Sequence, residues 1–351
     1  MSSNVSALRP ASTPAARQPL WFAAPAAAFI YPFPLMLFHD ALRMLDGGGA
    51  LRWLVAALSL ALAITLPLAA LLVAMRLSQI DRPTTAQLLA RRVALLAVAA
   101  PPLYSFIGVI FLLLGAPTLD VWFVSAMWLS LALMIAGADN RAPADVAPAA
   151  PHPKTRVAHG AMAALVLVYI AFHFSNHLFG LIGYEAHTAV LKIFRVVYRA
   201  PWIEPLLLAG FAFLIVSGGR MAWQLTARGI DRYRTFQIAA GTYLIFFVVS
   251  HLTAVLYLAR AHFGIDTDWA FAIGAPGGMI KDAWNIRLVP FYLLGPFFII
   301  SHAFSGLRGV MLAHGARREL ADTVMWCGAV FAALLATVII LAMCGLRARF
   351  V

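Results

Sequence analysis

Apolar residues in this chain come in unbroken runs, each about as long as a helix needs to cross a bilayer: at 1.5 Å per residue, a ~30 Å hydrocarbon core takes about 20 residues. Such runs fall at approximately 20–44, 52–76, 92–114, 118–138, 158–183, 202–226, 235–259, 288–312 and 322–346. The pattern predicts an all-α polytopic membrane helix bundle of about nine transmembrane helices. Residues 1–19, rich in Ser, Ala and Pro, carry Arg9 and Arg17 and end without a clear small-residue cleavage site, which predicts a disordered cytoplasmic tail. The polar, proline-rich connection 139–157 reads as a linker between a four-helix module, 20–138, and a five-helix module, 158–351. The connection from Arg260 to Arg287 holds a Gly-Ala-Pro-Gly-Gly stretch at 274–278. It lacks the strand–loop–helix context of a phosphate cradle and reads as a lid over one end of the bundle.

Composition sharpens this. With 63% hydrophobic and only 11% charged residues, and a mean hydropathy of +0.86, a soluble domain is excluded. The net charge of +12 does not point to nucleic acid, because the arginines sit in short loops between apolar runs, as membrane topology requires. With the N-terminus inside, sixteen of the 26 basic residues fall on the inner side. The expectation is a multi-pass protein of a bacterial-type inner (cytoplasmic) membrane, N-terminus cytoplasmic and C-terminus outside. The two cysteines, Cys327 and Cys344, share the last run, so any iron–sulfur centre belongs to a partner. Tryptophans such as Trp21, Trp53, Trp202 and Trp326 near run ends read as an interfacial belt.

Against this background the histidines stand out, because an ionisable side chain inside a membrane span is costly and marks function by default. His173 and His177 lie late in the fifth run, His251 late in the seventh and His302 in the eighth. The orientation puts His177 and His251 at one depth in the outer half and His302 towards the inner half. Two imidazoles at matched depth on neighbouring helices suit a haem held from both faces, with chemistry limited to electron transfer. His173, one turn from His177 on the same face, is the substitute ligand. The bland alternative is a cross-helix hydrogen bond worth roughly 1 kcal/mol. His152, His159, His187, His262 and His314, in loops or at run ends, read as solvated.

Residues 158–346 resemble the single-chain cytochrome b membrane-anchor subunit of the succinate dehydrogenase/fumarate reductase family. The resemblance runs through Ser175-Asn176-His177-Leu178, the segment from Arg228 to Gln237, Val249-Ser250-His251-Leu252, and the segment from Phe298 through His302 to Arg308. It implies haem b held by His177 and His251, quinone as the redox partner, and soluble iron–sulfur and flavoprotein subunits. Arg220 and Arg308 become candidate propionate partners. His302 matches one ligand of a second, inner haem, but the sixth run has Ser217 and no histidine where the other ligand is expected.

The first four runs have no counterpart in that family. Ile80-Asp81-Arg82 before the third run parallels Ile230-Asp231-Arg232 before the seventh, which suggests a decayed internal repeat with His39 in the place of His177. The competing readings are a proton-coupled secondary transporter and a cofactor-free membrane anchor or assembly protein.

Overall fold

The computed structural model describes residues 17–43, 49–145 and 150–348. Most of the predicted tail, and positions 146–149 of the predicted linker, lie outside the described residues. Among the described residues every long element is helical, and eight helices are long and apolar enough to cross a membrane, or nine when one bent pair is taken as a span. The protein is an all-α polytopic membrane bundle.

The first span is α1 (Leu20–Ile30) continued by α2 (Pro32–Arg43), and the second is α3 (Ala50–Leu77). The third departs from a straight run. It starts early, at α4 (Thr85–Val98), because Thr84 and Gln87 form a reciprocal capping box. It then turns by 71° into α5 (Ala100–Leu113). The cause is Pro101-Pro102, which removes amide donors and crowds the preceding turn. α6 (Asp120–Gly137) completes the first four spans.

α7 (Pro153–Phe179) is initiated by Pro153 at its first position and His152 at its cap. Between the fifth and sixth runs, where hydropathy marks no span, the chain forms an amphipathic helix, α8 (Tyr184–Tyr198). α9 (Ile203–Leu225) leads to α10 (Arg232–Leu252), which widens without interruption into an 11-residue π-helix, Thr253–Phe263. The lid follows with a short helix, α11 (Trp269–Ala272), before α12 (Leu288–Ala313) and α13 (Arg318–Met343). As expected of a lid, this segment is tucked in, with Trp269 and Met279 buried.

Small residues let the helices approach closely. Ala24, Ala28, Ala63, Ala70, Ala74, Ala90, Ala94 and Ala97 are all essentially inaccessible. The apolar core they build runs from the first six helices straight into α10 and α12, through Ile238, Tyr243, Phe247, Phe291 and Phe298. Two buried polar contacts reinforce the junction. The Arg91 side chain on α4 is fully buried and donates to the carbonyls of Leu77 (3.1 Å) and Ile80 (2.6 Å) after α3, and of Thr226 (2.7 Å) and Arg228 (2.5 Å) after α9. The two Ile-Asp-Arg loops therefore meet, and Ile230 N–H donates to Ser78 O at 2.8 Å. Arg287, before α12, reaches Asp120 of α6 at 2.5 Å, both side chains being buried.

α7 and α9 are the peripheral members. Only 17% and 11% of their most apolar windows are buried, against 44% for the first span and 56% for the span containing α12.

Candidate functional site

The α8 end of the bundle collects imidazoles from three elements. His173 and His177 are one turn apart on α7, His251 is the penultimate residue of α10, and His187 comes from α8. Ring centres of His173 and His177 are 4.7 Å apart, of His173 and His251 6.0 Å, and of His177 and His187 5.6 Å. His177 Nε2 and His173 Nε2 face one another at 3.3 Å, and Asn176 Nδ2 lies 3.0 Å from His187 Nε2. Aromatic rings fix the set: Tyr169 stacks on His173 at 5.7 Å, Phe247 on His251 at 6.0 Å, and Trp269 closes on His187 at 4.5 Å. Gly180 makes the last contact feasible, since a Cβ there would occupy the Trp269 ring.

The cluster also carries unmet hydrogen bonding. Nδ1 of His177, His187 and His251, Nε1 of Trp269 and Oδ1 of Asn176 are all buried with no partner. A buried polar group without a partner costs about 1–3 kcal/mol, so five gathered together need an explanation. Burial pushes the His187 imidazole down to about 4, with Asp268 opposing the shift and Arg195 assisting it, so this ring is neutral near pH 7.

The sequence-predicted residues divide into two groups. His173, His177 and His251 come together, and His302 stands apart on α12 with its Nδ1 donating to Gln237 O at 3.0 Å. Arg308 is engaged by Asp322 at 2.6 Å and lies 3.7 Å over the Tyr233 ring, while Arg220 is exposed on α9. Two histidines expected in solvent are not there. His187 is buried, and His159 is half-buried with its Nδ1 2.8 Å from Ser217 Oγ. Both readings rested on position in a loop or at a run end; there His187 is covered by packing of α8 on the bundle, and His159 meets α9. His39, the proposed counterpart of His177, instead ties the first span to the lid through Lys281 O at 3.1 Å.

Chemically, the cluster offers nitrogen donors, with the Asp268 carboxylate within electrostatic range of His187. Among the described residues there is no group of three His, Cys, Asp or Glu side chains arranged to hold a bare metal ion. His173 and His251, 6.0 Å apart between ring centres, are the α7 and α10 side chains that would hold a group bound between these helices. The void beside His173, lined by Tyr169, Asn176 and Tyr198 among others, is about 10 Å³, the room of one water. A larger open cleft of about 450 Å³ lies between α9 and the π-helix, where Glu204 and Arg260 pair at 2.5 Å. Comparison of the chain with protein-family models, with curated proteins and with solved structures finds no match.

Proposed function

We propose that this chain is a membrane b-type cytochrome subunit that carries electrons between a dehydrogenase-type partner, with iron–sulfur and flavoprotein subunits, and the quinone pool. The observation that carries the reading is the gathering of His173, His177 and His251, with Nδ1 of His177 and of His251 left unpaired, inside a membrane bundle. Haem b, when bound, supplies a one-electron carrier with no open iron site. His251 would hold it from α10, and from α7 either His177, which carries the family resemblance, or His173, whose ring is 6.0 Å from that of His251, would do so. Phe247 and Tyr292 wall the His251 ring and exclude water. The Glu204–Arg260 cleft offers a polar pair against an apolar wall of Leu208 and Leu256, the combination a quinone headgroup requires. In the orientation set by the basic loops this end faces outward across a bacterial-type inner membrane.

The test is a reduced-minus-oxidised spectrum of the purified chain with haem quantified per chain. Soret and alpha bands lost on His251→Ala are expected; a chain purified without haem overturns the reading. The direct His173–His177 contact favours one alternative, a proton relay in a transporter, and such a protein would give no haem spectrum.

A further inference from the structure

The amphipathic helix α8 runs back along α7 instead of leading away from it. His187 stands by His177 with ring centres 5.6 Å apart, Phe194 by Phe172 at 5.2 Å, and Tyr198 by Tyr169 at 5.5 Å. Positions rise along α8 as they fall along α7, so the two helices are antiparallel. From the level of His177 to that of Tyr169 is a descent of about 12 Å towards the middle of the α7 span, at 1.5 Å per residue. With 15 residues α8 is too short to cross a bilayer, and the chain turns at its foot into α9.

The side chains of α8 sort by face and by height. His187, Leu191, Phe194 and Tyr198 meet the bundle. The opposite surface changes character along the helix. Its upper part exposes Tyr184, Glu185 and Lys192. Its lower part exposes Ile193, Val196 (78%) and Val197, followed by Trp202 (82%) at the turn into α9. The cations at that lower level do not interrupt the apolar surface, because the protein engages each of them. Arg195 pairs with Asp266 at 2.7 Å, Arg199 donates to Thr267 Oγ1 at 2.7 Å, and Arg260 pairs with Glu204 at 2.5 Å. Charge held at membrane depth needs partners of this kind. Lys192 is the exception: it is exposed and makes no hydrogen bond or ion pair among the described residues. It sits at the step from polar to apolar surface, where a lysine can lay its stem in hydrocarbon and keep its ammonium among phosphates.

We propose that the lipid–water boundary crosses α8 at Lys192, and that the lower half of the helix, with Trp202, is inserted into the leaflet at this end of the bundle. Its occupant is phospholipid, with acyl chains on Ile193, Val196 and Val197 and headgroup phosphate at Lys192. The test uses the full chain with Cys327→Ala and Cys344→Ala, carrying Glu185→Cys, Ile193→Cys or Val196→Cys, nitroxide-labelled and reconstituted in vesicles of phosphatidylethanolamine and phosphatidylglycerol. Power-saturation electron paramagnetic resonance compares collision of each label with oxygen, which concentrates in lipid, and with a water-soluble nickel chelate. All three positions are exposed, so labelling leaves the packing intact. The label at position 196 should favour oxygen over nickel several-fold more than the label at 185, with 193 between them. Equal nickel collision at 185 and 196, whether high or low, overturns the inference, because no boundary then crosses the helix. A label at 196 shielded from both reagents also overturns it, since a second copy or another protein segment then covers that face.

Discussion

Two buried polar clusters sit at opposite ends of this bundle and solve the same problem in opposite ways. Arg91 takes a full guanidinium out of water and surrounds it with four backbone carbonyls, so its desolvation is compensated within the protein itself. The imidazoles at the α8 end are equally removed from water yet leave three ring nitrogens, an indole N–H and an amide oxygen unpaired. A satisfied buried charge holds a fold together; a group of neutral donors and acceptors left unpaired adds little to it.

That contrast can be broken or sharpened by substitution, and the largest effect is expected at the satisfied end. Arg91→Leu strands four carbonyls at the junction of α3, α4 and α9 and should cost about 3–5 kcal/mol, read as lost yield of monodisperse protein and a lower midpoint of thermal unfolding in detergent. A normal midpoint would show that the node holds nothing together.

The next effect is pH-dependent. His187 titrates at about 4 in the folded chain and near 6.5 when unfolded. As pH falls below 6.5 the unfolded state takes up a proton that the folded state refuses, and stability is lost progressively down to pH 4, by up to ~3 kcal/mol. His187→Gln should flatten the fall in unfolding midpoint across that window. An unchanged slope would mean that other groups govern the acid lability.

Smaller still is Thr84→Ala, which removes half of the capping box at the start of α4 and should cost about 1 kcal/mol, seen as a small drop in midpoint with no change in any cofactor spectrum. The smallest stability change belongs to the unsatisfied end. His251→Leu in the cofactor-free protein should move the midpoint by less than ~1 kcal/mol in either direction, because it deletes an unpaired nitrogen and no hydrogen bond. A large loss there would show that His251 is a structural residue after all.

Much of the fold was legible in the apolar runs, because membrane insertion imposes length and hydrophobicity that any reading of hydropathy recovers. The bend at Ala99 was foreshadowed by Pro101-Pro102, but its 71° angle depends on how α5 packs against α10 and is not written locally. α8 was invisible to a search for spans, since its 15 residues are amphipathic, too short to span and interrupted by Glu185, Lys192 and Arg195. At the site, sequence supplied the depth of His177 and His251 but not the direction in which each side chain leaves its helix. It follows that the contact of His173 with His251, and the burial of His187 beneath Trp269, emerge only once three elements are assembled. The division of the chain into four-helix and five-helix modules rested on the polar 139–157 connection; the core itself crosses that division through α10 and α12.

The composition of the shell around Arg91 bears on how the chain is assembled. Two of its four acceptors, Leu77 O and Ile80 O, lie within 14 residues of it, while Thr226 O and Arg228 O lie 135 and 137 residues downstream. During synthesis the third span therefore reaches the bilayer with its cation half-solvated, and it settles only after the sixth has been delivered. A chain truncated before Thr226 would leave that segment an easy target for membrane quality control, which makes the early helices dependants of the later ones and not a platform on which they are laid.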